Sequence, residues 1–234
     1  ERPAVEDSET AQEIAMGNLS VENLQFEYRS GRQQQVLNGV NLEIKPGEIV
    51  GIMGPSGCGK STLLKLMMRF WDADSGKISL GGMDIKEAKR TSLYSHYNYM
   101  TQSTSLFTGT IRDNLVVAKP NASEEEIVEA LKKASFYDYV MSLPEKLETV
   151  VEEGGKNFSG GERQRIGLTR CFLADRSIFF LDEPTSNLDV QNEAIILKSL
   201  MQERKDKTVI LVSHRLSTLG VCDRILKMEQ GKLV

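Results

Sequence analysis

The sequence predicts an α/β fold: a mainly parallel, buried β-sheet covered by helices and interrupted by a helical insert. Three observations predict it. A glycine-rich loop, "GPSGCGKST" at Gly54 to Thr62, joins an apolar strand to a helical stretch. Two continuous apolar runs, "SIFFLD" and "TVILVS", flank a helical segment near 190–203. Such runs suit strands with both faces covered. The middle of the chain, about 103–165, changes character. There Ser123 with Glu126 forms a capping-box pattern, and Ile127, Leu131 and Ala134 recur at helical spacing.

The elements follow in order. Residues 1–18 begin "ERPAVEDSETAQE", polar and acidic and unlike a secretory leader. They read as a disordered tail or a linker, or as the cut end of a longer chain. Residues 19–28 alternate apolar and polar and end at Tyr28, so they read as a strand. "SGRQQ" makes a polar turn, and short strands follow at 41–44 and 48–53 around Lys45-Pro46-Gly47. A helix runs from the glycine-rich loop through "KSTLLKLMMRFW". Strand-and-turn sequence continues to Gln102, with "SGKISLGG" and "YNYMTQ" as its strands. A helix over 124–134 and another in "FYDYVMSL" occupy the insert.

Composition narrows the function. With 234 residues, 40% hydrophobic and 26% charged, the chain can bury a sizeable core. A net charge of −4 does not indicate a broad nucleic-acid surface. Cys58, Cys171 and Cys222 form neither a disulfide framework nor a metal spacing, which suits a reducing compartment. Two histidines make a histidine-rich metal site improbable. No apolar run approaches the ~20 residues that cross a bilayer.

Gly54-Pro55-Ser56-Gly57-Cys58-Gly59-Lys60-Ser61 fits G-x-x-x-x-G-K-[ST], with Thr62 following. Glycines let backbone N–H groups turn inward around phosphate oxygens. Lys60 is expected to reach the β- and γ-phosphates and Ser61 to ligate Mg²⁺. Such a site needs a carboxylate at the end of a neighbouring buried strand. "IFFLDE" supplies Asp182 for the metal shell and Glu183 to polarise the attacking water. Read alone, Glu183 is equally a surface residue at a strand end. Cys58, beside phosphate-binding N–H groups, reads either as an accessible, thiolate-prone cysteine or as an inert loop filler.

A second anion-binding helix start lies at "NFSGGERQR". Ser159 is placed to cap it, Gly160 and Gly161 expose backbone N–H groups, and Glu162 follows three residues after the serine. One nucleotide does not need two such starts from one chain.

Taken in order, "GPSGCGKST", Gln102, "FSGGERQR", "FFLDEPT", "SNLD" and "VSHR" resemble the ATP-binding cassette (ABC) ATPase domain, over nearly the whole chain from about Leu19. The resemblance implies a P-loop NTPase (RecA-like) core, an antiparallel β subdomain and an inserted α-helical subdomain. It also implies a head-to-tail pair of domains, identical or different, each ATP lying between one P-loop and the partner's signature. On that pattern Tyr28 stacks on adenine, and Gln102 senses Mg²⁺ and water while coupling to the insert. Ser159, Gly160 and Gly161 form the signature, with Ser159 and Gly161 on the γ-phosphate of the partner's ATP. Asp189 lines the interface, and His214 holds the γ-phosphate and orients Glu183. Read singly, Tyr28 fits a strand-end aromatic, Gln102 a loop residue, His214 a structural histidine and Asp189 a helix cap.

The chain departs from the commonest pattern at Phe158, Glu162, Thr101 and Asn187, none of which removes a chemical group the reaction needs. "LFTGTIRDNL", "TVVEEGG" and "HRLST" resemble exporters, whose membrane helices usually precede the ATPase on the same chain. That places the domain, itself soluble, at the cytoplasmic face of a membrane, with a transmembrane domain as partner and residues 1–18 as the linker. An importer subunit is the nearer alternative. A DNA-associated ATPase of the same family is the more distant one, since no sustained heptads interrupt the cassette.

Overall fold

The strands Ile178–Asp182 and Thr208–Val212 are apolar at successive positions because their side chains feed two different cores. The computed structural model describes residues 5–28, 34–185, 188–202 and 207–234. The chain begins with β1 (Leu19–Tyr28), β2 (Gln34–Ile44), β3 (Ile49–Met53), α1 (Lys60–Met67), β4 (Ser75–Leu80) and β5 (Met83–Asp84). It continues with α2 (Arg90–Ser95), β6 (Tyr97–Met100), β7 (Gly109–Thr110), α3 (Ile111–Val116), α4 (Glu124–Lys133), α5 (Tyr137–Ser142) and β8 (Val150–Val151). The last part holds α6 (Gly160–Ala174), β9 (Ile178–Asp182), α7 (Val190–Gln202), β10 (Thr208–Val212), α8 (Leu216–Leu219), β11 (Arg224–Glu229) and β12 (Lys232–Leu233).

A six-stranded sheet runs in the order β12-β11-β3-β10-β9-β6, parallel except for β12. A four-stranded antiparallel sheet runs β2-β1-β4-β5. Between the two sheets lies one core, which takes Phe180 of β9, Ile210 and Val212 of β10, Leu63 and Leu64 of α1, and Phe26 of β1. The second core lies on the other face of the parallel sheet. It takes Phe179 and Leu181, Val209 and Leu211, and then Ile127, Leu131, Phe136 and Ile166 from the helical part. Period-two alternation along one strand thus splits "IFFL" between the two layers.

Several elements differ from the sequence expectation. Helix α1 stops at Met67 rather than near Trp71, because Arg69 takes a left-handed conformation (φ 56°) and turns its guanidinium onto the Ala88 carbonyl. Helix α2 lies in a stretch read as strand and turn. Strand β2 begins at Gln34, well before the predicted residue 41, because pairing with β1 overrides its polar composition. The polar turn preceding it falls mostly outside the described residues. The insert contains a two-stranded pair, β7 with β8, besides its helices.

Residues 5–17 are not a free tail. Gln12 forms a bridge with Ala88, the Ile14 amide donates to Ser92 Oγ at 3.0 Å, and Ile14 is buried in the first core. Val5 is buried as well, and Asp7 pairs with Arg69 and Arg90, so a polar segment is docked by a few apolar side chains and ion pairs. Among the described residues no helix is long and apolar enough to cross a membrane.

Phe136 ties α4, α5 and α6 together. It is fully buried, stacks on Tyr139 at 5.1 Å and lies under the Arg165 guanidinium. Phe136→Ala is therefore expected to cost about 3–5 kcal/mol in urea unfolding.

Candidate active site

Sheet order brings the site together. In the adjacent strands β3, β10, β9 and β6, all parallel, the C-terminal ends lie on one edge. The segments leaving these strands carry the phosphate loop, His214, the Asp182–Glu183 pair and Gln102 respectively. They converge on a cavity of about 870 Å³ lined by Tyr28, Gly54, Ser56 through Thr62, Gln102, Asp182, Glu183 and His214. Val36, Gln230 and Gly231 also line it. Sequence reasoning missed these three, which carry no motif and arrive through the β2 and β11–β12 pairings.

The loop is shaped by backbone constraint. Gly57 and Gly59 have φ values of 79° and 109°, where a side chain would be strained. A Cβ on Gly54 would lie 2.2 Å from the Met228 carbonyl oxygen. Helix α1 starts at Gly59 with no side-chain cap and no acidic residue in its first turn. Its first N–H groups and the positive end of its dipole thus face the loop, an arrangement that suits an anion. Lys60 is buried, and its Nζ donates to the carbonyls of Gly54 (2.7 Å) and Pro55 (2.9 Å). Cys58 is only 8% exposed, packed beside Gly54 and Lys60. The expectation of an accessible thiol is corrected: the side chain fills the inside of the loop.

The Ser61 hydroxyl donates to Asp182 Oδ1 at 3.0 Å. Burial pushes the Asp182 carboxyl above its ordinary value; the Ser61 hydrogen bond pulls it down and the neighbouring Glu183 charge pushes it up again. Tyr99 hydrogen-bonds Asp182 too, and burial together with that carboxylate drives its phenol up to about 12. Two hard oxygen donors in contact, with the Gln102 amide lining the same cavity, form a donor set suited to a small divalent cation.

Glu183 sits at φ 53°, rare for a side-chain-bearing residue, and its N–H donates to Val212 O at 2.9 Å. This turn at the end of β9 brings the Glu183 oxygens to 3.0 and 2.9 Å from His214 Nδ1. The histidine loop is itself anchored by Glu193 of α7, a buried residue not singled out from the sequence. Glu193 accepts from Arg215 Nη1, Ser217 Oγ and Thr218 Oγ1, each at 2.7 Å. No motif marks it, because its partners lie more than 20 residues away.

Gln102 is held from behind. Its carbonyl accepts from Gln164 Nε2 at 2.6 Å. The Thr101 hydroxyl donates to the Ser103 carbonyl at 2.7 Å, restraining the turn where a proline is commoner. The Tyr28 hydroxyl pairs with Thr62 Oγ1 at 3.0 Å, and its ring meets Phe26 and Trp71 edge-on.

Ser159, Gly160, Gly161 and Asp189 are not brought into this cavity. Ser159 caps α6 in a full capping box with Glu162. Asp189 caps α7, taking the Asn192 N–H at 2.9 Å, which holds its carboxyl below the usual value. Asn192 also receives a hydrogen bond from Arg165 and lies against Gly161, linking the Asp189 turn to α6. Asn187 lies outside the described residues.

A parallel sheet with a glycine-rich phosphate loop after one strand and an acid pair at the end of another defines a P-loop nucleotide hydrolase. The profile of the ABC transporter family matches residues 37–186, and the chain belongs to that family, as one of its ATP-binding, ATP-hydrolysing domains. Over 234 residues, its whole length, it is 47% identical to a Haemophilus influenzae protein described as "Probable ABC transporter ATP-binding/permease protein", of which it spans 42%. It is 43% identical over 218 residues, 93% of the chain, to "ABC transporter B family member 24, mitochondrial" of Arabidopsis thaliana, spanning 32% of that protein. A solved structure titled "Structure of a bacterial Atm1-family ABC exporter with ATP bound" superposes with a TM-score of 0.94 at 34% identity, covering all of this chain and 41% of that one. The chain thus spans less than half the length of these relatives.

Burial alone would raise the Glu193 carboxyl, but its hydrogen bonds to Thr218, Ser217 and Arg215 leave it below the ordinary glutamate value. A lowered folded pKa gives stability that is present above the unfolded pKa and lost as pH falls through the folded one. Glu193→Gln is expected to lose about 2 kcal/mol at pH 7 in urea unfolding. Its deficit against wild type should close as the pH falls below about 4.

Proposed function

We propose that this chain powers the export of a substrate across a membrane by ATP-driven dimerisation with a second such domain, identical or related. On this reading the full-length protein also carries a transmembrane domain, and the chain works at the cytoplasmic face with residues 1–18 as the linker. The observation that carries the proposal is the separation of the two anion-binding helix starts. Gly54–Thr62 and the Ser159–Gly161 start serve different places, so the second is free for a nucleotide held by another copy. A relative described as an ATP-binding/permease protein and a neighbour titled an exporter favour export over import. The exposed Val150 beside the exposed Glu152 and Glu153 offers a surface for a membrane-domain contact.

The reaction is ATP plus water to ADP plus phosphate. Tyr28 would stack on the adenine, while the loop N–H groups and Lys60 bind the β- and γ-phosphate oxygens. Mg²⁺, held by Ser61, Asp182 and Gln102, would neutralise charge on those oxygens. Glu183 is the base that polarises the attacking water; His214, in contact with both its oxygens, fixes its orientation and reaches the γ-phosphate. Gln102, which lines the same cavity, would sense Mg²⁺ and the attacking water. The partner's Ser159 and Gly161 complete the ligand shell, so ATP joins the dimer and its hydrolysis releases it.

Glu183→Gln should lower turnover about 10²–10⁴-fold while leaving ATP binding intact. Light scattering should then show a dimer in MgATP and a monomer without it. A variant that stays monomeric while saturated with ATP counts against the proposal.

A further inference from the structure

Helix α6 grips the segment that carries Gln102 along one face. Asn98 Nδ2 donates to the Cys171 carbonyl at 3.0 Å, and Arg170 Nη1 to the Ser105 carbonyl at 2.9 Å. At Gly167 the Thr104 side chain approaches the helix so closely that a Cβ would lie 2.5 Å from its Oγ1. Nearer the helix start stands Gln164, 3% exposed, with both ends of its amide engaged. Nε2 donates to the Gln102 carbonyl at 2.6 Å, and Oε1 accepts from the Thr104 hydroxyl at 2.7 Å. The contact with a carbonyl fixes the amide orientation, since only the nitrogen donates.

The same helix begins at Ser159, about one turn before Gln164. Its start therefore cannot shift without either carrying Gln102 along or leaving the buried Gln164 amide without its two partners, which is costly. We propose that Gln164 is a positioning residue that sets Gln102 in the chain's own nucleotide cavity according to how the start of α6 is engaged by a partner's nucleotide. The inference rests on the dimer reading above, and it supplies the link between the two half-sites of one chain. Ser159 and Gly161 of the same motif are read as phosphate contacts; Gln164 is turned into the interior.

The test uses the 234-residue chain and Gln164→Met, which keeps the volume and removes both hydrogen bonds. ATP binding is read from Trp71, the one tryptophan of the sequence, which lies 5.6 Å from the Tyr28 ring. The expected result is a kcat lowered about tenfold or more, with a Kd for ATP unchanged within about twofold. In a Gln102→Ala background the same substitution should cost nothing further, because Gln164 acts through Gln102. An unchanged kcat, or a loss that persists at full size in the Gln102→Ala background, overturns the inference. Thr104→Val, which removes a single hydroxyl, should give a smaller loss of the same kind at an unchanged melting temperature. It decides the matter if Gln164→Met fails to fold. A wild-type chain that binds ATP and hydrolyses none refutes the ATPase reading itself; an active wild type with indifferent variants refutes only the role of Gln164.

Discussion

The double burial of β9 underlies the chemistry of this molecule. Phe180 faces one core and Phe179 and Leu181 the other, so the strand is fixed in register from both sides. Its end delivers Asp182 to Ser61 and Glu183 to His214. A slip of one residue would exchange every side chain between the two layers and turn the carboxylates away from the phosphate loop. The apolar run before Asp182 is therefore part of the site, although none of it touches the cavity.

That rigidity permits local strain. Glu183 holds a left-handed backbone conformation that costs free energy in an isolated peptide. It persists because its N–H is fastened to Val212 and its side chain to His214. The histidine loop is in turn fastened to α7 through Glu193. Catalytic geometry here is a chain of anchored groups that ends in a packed helix.

What the sequence made legible follows from how local each signal is. The phosphate loop, Asp182 and the capped start of α6 each rest on a few adjacent residues, and the structure places them as those residues suggest. Helix α1 ended early because the Arg69 guanidinium found a carbonyl at Ala88, 19 positions away. Helix α2 and the first half of β2 were missed because their composition is polar and their order comes from packing. Gln164 and Glu193 were passed over for the same reason: the partners that give each its role lie 22 to 62 residues away. Cys58 stayed open between an accessible thiol and a loop filler because the sequence shows the loop's chemistry and not which way a side chain turns within it; its burial selects the filler.

The two helix starts also differ in a way that assigns them different work. At α1 no side chain caps the first turn, so its donors and Lys60 are all directed at the loop. At α6 the capping box uses the N–H groups of Ser159 and Glu162. Those of Gly160 and Gly161 have no acceptor within the helix, as its geometry requires. The first start can enclose a polyphosphate from below; the second offers the hydroxyl of the exposed Ser159 and the N–H groups of the half-buried Gly160 and the buried Gly161. A partial cradle binds an anion firmly only when something else already holds that anion in place. In this chain the Gln102–Gln164 contact ties the position of that start to the enclosed site. On the proposed function a domain so built gains from a second copy, because each copy's helix start would then meet a phosphate the other has already bound.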